Sequence, residues 1–542
     1  MSTLRLISAW LSLTLLHAQT PSNDSPAQEN SAPPAIAAWG IVNAASRMPS
    51  SLPGGALAPG TRFLVHGWRM QPKDRVRIQI ANGPNTVEAD VLSVTEEELE
   101  AVVPDRVPEG AAELTVIRDG KASLPAHIRI LSASFGIFSQ NKLGWGPGEI
   151  FNSDRQPNTK EHAARPGERV TIVGSGSGSR RSVRPAIFIG GKQVVKIAKI
   201  RKSGTREGAD EIQFTLPAGT PQGCFVPLRI AIDGTVSNTV TIAVSHRGAH
   251  CGDADGWMPK TMLESRPMAF FAFAHADVHL NLSRSSSTEY PIDAGHASFG
   301  TLGPETGSSL LSMAPPVGTC GTNARAWKLS SIASPLSAFD LGSAHPLDAG
   351  PNILVQGPAD TRTLTPSGNR IGRYSALLGG ILPVRIRKPG PLFLNPGTYE
   401  ISVPGGSDVG AFQTSLDVPP PISWTDPPQV ESVNRDHGVT VQWRASRQAD
   451  RVLIIAMNTD LESGATGLSL CAEDASVGSF HIPPDALANI PTGRSSQAIQ
   501  PFSLLVVVEL SVQPGVLAAP VRGLDGVWLV YASVVGRPVV FR

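Results

Sequence analysis

Ala58-Pro59-Gly60, followed by Phe63, Val65 and Gly67, returns later in the chain as Arg165-Pro166-Gly167, Val170, Ile172 and Gly174. Pro-Gly sets a turn, and apolar residues two apart turn one face of the following strand inward. A second block repeats as well. Pro104, Pro108, Gly110, Asp119, Gly120 and Ser123 correspond to Pro217, Pro221, Gly223, Asp233, Gly234 and Ser237. The offset is 107 residues in the first block and 113 to 114 in the second, so one fold is written twice with a short insertion in the later copy. A period of about 110 residues suits a sandwich of about 100 residues and is far too long for a solenoid.

The composition agrees with that reading. A chain of 542 residues with 53 Gly and 47 Pro, only 17% of it charged, reads as many short strands joined by tight turns. Its length allows about three to five domains of ordinary size. The expected fold class is all-β, with tandem immunoglobulin-like β-sandwich domains. Lys and Arg total 46 against 45 Asp and Glu, so no overall field draws in nucleic acid, and no nucleic-acid partner is expected.

The N-terminus reads as an export signal: Arg5 closes a short basic start, Leu6 to Leu16 is an apolar run, and Ala18 offers a small residue near a cut after Gln19. The run is shorter than the roughly 20 residues a membrane-spanning helix needs, and no later stretch qualifies, so no transmembrane segment is expected. Residues 20–38 are polar and Pro-rich, a tether rather than a fold. The four cysteines, an even number in an exported chain, allow one or two disulfides. Cys224 opens the strand CFVPLRIAI, Asp233-Gly234 turns the chain, and Cys251 follows the returning strand, so a Cys224–Cys251 bond is expected. Cys320 and Cys471 are expected to lie in different domains and stay unpaired.

The stretch VLSVTEEELEAVVPDRVPEGAAELTVIRDGKAS looks like the closing half of an IPT/TIG domain, an immunoglobulin-like fold. With GIVNAAS, LAPGTRFLVHG, SFGIF, ARPGERVTIVGSGSG and DGTVSNTVTIAV, residues 39–246 resemble a tandem domain of secreted acidobacterial (Solibacter-type) proteins. The resemblance implies export and an Ig-like fold but no activity. Arg180, Arg181 and Arg184, directly after the glycine turn, depart from the pattern. Further on, LNPGTYEISV has the Pro-Gly-x-Tyr pattern of a sandwich corner in which Tyr399 ties loop to strand. The stretch VESVNRDHGVTVQW, with Trp443 as the buried aromatic, is similar to a fibronectin-III-like last domain. The organisation read from the chain is a signal (1–19), a linker (20–38), two Ig-like domains (39–131 and 132–246), a further sandwich (247–425) and a fibronectin-III-like sandwich (426–542).

No catalytic constellation is legible, and no cofactor is expected. Glu96, Glu97, Glu98 and Glu100 read as a solvated step before a Val-Pro turn. The glycines of Gly174 to Ser179 have neither P-loop nor dinucleotide spacing. Cys251, Asp253, Asp255 and Gly256 begin like a calcium loop, but Trp257 stands where an oxygen ligand belongs. His275, Asp277 and His279 alternate along one strand face and form a candidate metal set. The alternative reading is an amphipathic strand that shows these groups to solvent while Ala274, Ala276, Val278 and Leu280 pack inward. The function expected is exported, non-catalytic adhesion, recognition or spacing, with an extracellular polysaccharide or a cell-surface protein as partner. An exported hydrolase with accessory sandwiches and a purely structural envelope component are the alternatives.

Overall fold

The computed structural model describes residues 32–71, 75–179, 185–194, 199–247, 250–251, 266–280, 288–301, 315–326, 345–368, 370–380, 390–427, 432–460, 465–492 and 503–542. Residues 1–19, read as an export signal, and Arg180, Arg181, Arg184, Asp253, Asp255, Gly256 and Trp257 lie outside the described residues.

The first sandwich runs through β1 (Ala35–Asn43), β2 (Arg62–Trp68), β3 (Val76–Asn82), β4 (Asn85–Val94), β5 (Glu98–Val102), β6 (Gly110–Arg118), β7 (Lys121–Ala122) and β8 (Ala126–Ile130). They pair in the order β1-β2-β5-β4-β3-β6-β7, with β8 also on β6. The second is built from β9 (Gly136–Ile137), β10 (Ile150–Phe151), β11 (Arg169–Ser175), β12 (Ala186–Ile189), β13 (Lys192–Val194), β14 (Lys199–Lys202), β15 (Asp210–Thr215), β16 (Gly223–Ile232), β17 (Thr235–Val236) and β18 (Val240–Val244). The antiparallel pairs β2–β5 and β3–β6 recur as β11–β15 and β12–β16.

The repeat extends to single hydrogen bonds. Phe63 and Val65 are fully buried, as are Val170 and Ile172. Gly60 and Gly167 take φ of +76° and +86°, which a turn glycine adopts without a Cβ clash. Asp119-Gly120 and Asp233-Gly234 both have positive φ at two successive residues, as a type I′ hairpin requires. Ser123 Oγ accepts from Val116 N and donates to the Leu124 carbonyl; Ser237 Oγ does the same with Ile230 N and the Asn238 carbonyl.

The remaining chain forms β19 (Pro267–Leu280), β20 (Thr288–Thr301), β21 (Thr319–Ala326), β22 (His345–Pro346), β23 (Ile353–Gln356), β24 (Thr361–Pro366), β25 (Arg373–Gly380), β26 (Gly397–Val403) and β27 (Phe412–Val418). After these come β28 (Ser423–Trp424), β29 (Ser432–Val433), β30 (Val439–Arg444), β31 (Arg451–Thr459), β32 (Ala465–Asp474), β33 (Ser479–Ile482), α1 (Pro484–Leu487), β34 (Leu504–Pro514), β35 (Gly526–Pro538) and β36 (Val540–Phe541). One sheet runs β21-β32-β31-β34-β35-β19-β20-β25-β24-β23-β26-β27, and strands from both sides of residue 425 belong to it. Its two halves meet where β19 and β35 pair in parallel.

Three cores hang on that sheet among the described residues, the third packing Phe270, Leu453, Leu470 and Val506 on the face opposite the other two. The first packs Phe271, Phe273, Phe299 and Tyr399 against Val527, Leu529 and Tyr531 of β35. The second gathers Trp424, Trp443, Val452, Ile454 and Phe541 around the Cys320 of β21. Each core therefore borrows a strand from across the boundary expected at residue 425. Tyr399 is fully buried, and its hydroxyl donates to the Phe393 carbonyl at 2.6 Å with the Asn395 carbonyl 2.9 Å away. Among the described residues, no helix is long and apolar enough to cross a membrane.

The sandwiches are tied to each other and to the large sheet by buried polar groups. Asn43 Oδ1 accepts from Ala45 N and Ser46 N, while its amide donates to Ser134 O across the joint. Asn489 of the later chain donates to the Ser237 carbonyl of the second sandwich at 3.2 Å. Arg229, only 2% exposed, donates to Cys320 O and pairs with Asp485 of α1, and burial pulls its pKa down to about 10.

Candidate functional site

Strand alternation in β5 sends Leu99 and Ala101 into the core of the first sandwich and leaves Glu98 and Glu100 on the opposite face. Opposite them on β2 stand His66 and Leu64. That outer face is not left to solvent. Leu64, Val42 and Ala44 pack against Phe138 of the second sandwich, and the joint opens beside them into a cleft of about 710 Å³.

The cleft draws Arg47, Arg62, Glu98 and Glu100 from the first sandwich and Phe138, Gln140, Lys142, Glu149, Phe151 and Arg206 from the second. Its charges are mostly paired within it. Arg62 forks onto Glu100 through Nε and Nη2, the latter at 2.8 Å, and this bond holds the Glu100 carboxyl below its ordinary range. Arg206 donates to Glu149 at 2.8 Å with its guanidinium 4.8 Å from the centre of the Phe138 ring. Arg47 lies 3.9 Å from Glu98, and burial lowers the Arg47 pKa. His66 Nδ1 is 3.4 Å from the same carboxylate, its pKa also lowered by burial. The His66 ring leads outward to Trp39, whose ring lies 5.9 Å away and is 36% exposed; Trp68, on the same strand as His66, is 52% exposed.

Two of the four glutamates expected in solvent thus line the cleft. The alternation Glu98-Leu99-Glu100 was the available signal, because it places both acids on one face. Nothing local said that a second domain would cover that face, so Arg206 and Glu149 carried no readable signal at all.

The glycine loop after β11 has a different occupant. Asp210 is fully buried and accepts from Gly176 N at 3.1 Å and Ser177 N at 2.9 Å, so the loop amides are taken by the chain's own carboxylate.

The structure divides the set read on β19. His275 Nδ1 donates to Asp293 Oδ1 at 2.7 Å, and Asp293, fully buried, also accepts from Phe393 N and Leu394 N. Asp277 turns to Arg537 of β35 at 3.0 Å, with His279 Nε2 3.4 Å away. The face these three share begins with Ala269, Phe271 and Phe273 in the first core, and Ala272, Ala274 and Leu280 on the other face are buried as well. β19 is therefore covered on both faces along most of its length, with the polar trio at one end. Cys224 and Cys251 are disulfide-bonded with Cα atoms 5.3 Å apart. Cys320 and Cys471, read as unpaired, are bonded too. They stand directly opposite each other on β21 and β32, because β21 crosses to the sheet half formed by the C-terminal strands.

No protein-family model matches the chain, and no curated protein matches it. Among solved structures, a surface glycan-binding protein of Prevotella bryantii is 16% identical with a TM-score of 0.15, the match covering 48% of this chain and 53% of that one. The chain thus spans about half the length of that protein. The corresponding protein of the Bacteroides ovatus mixed-linkage glucan locus is 14% identical over 67% of this chain and 68% of that one, TM-score 0.20. Domains 5-6 of the S-layer protein SbsC are 11% identical over 39% and 98%, TM-score 0.18. These likenesses are too distant to carry an inference.

Proposed function

We propose that the protein is an exported, non-catalytic binding protein that holds a segment of extracellular polysaccharide in the cleft between its first two sandwiches. The observation that carries this reading is the pairing of charges inside the cleft. Arg62–Glu100, Arg206–Glu149 and Arg47–Glu98 leave little net field to select an ion. They do leave fixed, planar arrays of donors and acceptors beside aromatic rings. A sugar offers the complement: hydroxyls that need paired partners, and C–H faces that pack on rings such as Phe138 and Phe151 of the lining. The two disulfides fit an oxidising compartment.

The test is a glycan and cell-surface array probed with mature protein from its native host. N-terminal sequencing of that material should begin within a few residues of Thr20. Binding to a defined polysaccharide should weaken at least about tenfold in Glu149→Gln and Phe151→Ala, a loss of about 1.4 kcal/mol. Folded protein that binds no glycan, or binds as well without these groups, overturns the reading, and capture of a cell-surface protein alone would replace the ligand.

One observation favours the hydrolase alternative. A buried carboxylate, Asp293, orients His275 as an orienting acid does a catalytic base. Polysaccharide or ester turnover that disappears in His275→Ala would put that reading first.

A further inference from the structure

The β19–β20 hairpin brings together a group that the cleft does not use. Asp277 and His279 are two residues apart on β19 and share a face, and Glu289 of β20 stands directly opposite His279. One ligand atom from each of Asp277, His279 and Glu289 lies within 4.8 Å of the other two. His275, on the same face, is not in this group; its Nδ1 bonds Asp293 instead.

We propose that Asp277, His279 and Glu289 bind one zinc-type divalent transition-metal ion. The two carboxyl oxygens of Asp277 are treated differently. Oδ2 takes a hydrogen bond from Arg537 Nη2 at 3.0 Å, and Arg537 Nη1 reaches the Asp277 carbonyl at 3.3 Å, which fixes the carboxylate. Oδ1 is buried without a hydrogen-bond partner. It sits 3.4 Å from His279 Nε2, within ion-pair distance. Two ligands about 2.1 Å from a tetrahedral ion are about 3.4 Å apart, the spacing that Asp277 Oδ1 and His279 Nε2 already have.

The donor set selects the class of ion. One imidazole nitrogen with two carboxylate oxygens is a zinc set, with three protein ligands and a fourth position for water. Calcium takes six to eight oxygens and magnesium a near-octahedral oxygen shell, which these three groups do not supply. Arg537 is the outer partner that orients a ligating carboxylate. An ion held there would tie β19 to β20 at the far end of the hairpin.

Full-length protein stripped with a chelator and titrated with Zn²⁺ alone should take up one ion per chain. Affinity should fall at least about tenfold in His279→Gln and in Glu289→Gln and stay unchanged in His275→Gln. Co²⁺ in place of Zn²⁺ should give the intense visible bands of a four-coordinate site in the wild type and not in the first two variants. Glu289 is exposed, so its variant tests binding without disturbing the fold. Absence of stoichiometric Zn²⁺ uptake by the wild type, or equal uptake by the Glu289→Gln and His279→Gln variants, overturns the proposal.

Discussion

Single side chains explain why certain motifs stand where they do. The Asn of GIVNAAS is Asn43, and its fully buried amide clamps the joint between the two repeats rather than meeting a ligand. Ser123 and Ser237 close the same hairpin twice over. Glu509 is costlier. It is fully buried on β34, accepts from Ser446 N at 2.9 Å and Ser446 Oγ at 2.5 Å, and burial raises its pKa. A carboxyl whose folded pKa is raised binds its proton more tightly in the folded chain. Its favourable contribution is complete below the unfolded value of about 4.3 and is lost as pH rises through the folded value. Glu509→Gln removes this dependence. The variant should melt higher than the wild type at pH 7, with the gap closing toward pH 4. A gap independent of pH, or a variant less stable at pH 7, would refute the assignment.

At the scale of elements, turns were readable and long-range partners were not. Pro59-Gly60 and Asp119-Gly120 announce their backbone angles in their residue types, since positive φ excludes most side chains, and the strands beside them follow. β21 had no such signal. It is an edge strand bonded to β32 in sequence-distant register, and the Cys320–Cys471 bond across 151 residues secures it. Loop-closure entropy assigns that bond up to about 5 kcal/mol, against about 3 to 4 kcal/mol for Cys224–Cys251, which closes 27 residues. Non-reduced peptide mapping should return these two linkages and no others. The Cys320→Ala/Cys471→Ala protein should lose more stability in a denaturant titration than Cys224→Ala/Cys251→Ala. The reverse order would mean that strand pairing alone holds the edge.

At the scale of the whole molecule, residues 39–246 have two complete cores of their own, whereas no cut near residue 425 leaves the later cores whole. A fragment of 39–246 should give a β-rich circular dichroism spectrum and a cooperative melt, and 250–542 should do likewise. A fragment of 250–425 lacks Val527, Leu529 and Tyr531 and the parallel partner of β19, so it should not fold; a cooperative melt from it would contradict the shared sheet. The sequence by itself determined the all-β character, the duplicated sandwich, its turns and the inward face of the repeat strands β2 and β11, because backbone angles and a side-chain period of two are local properties. It also placed His275, Asp277 and His279 on one face. Only the tertiary structure decided which strand each face meets: β35 beside β19, β21 beside β32, Glu289 opposite His279, and the second sandwich over Glu98 and Glu100. The period states which way a side chain points, while its partner is chosen by packing between segments tens to hundreds of residues apart.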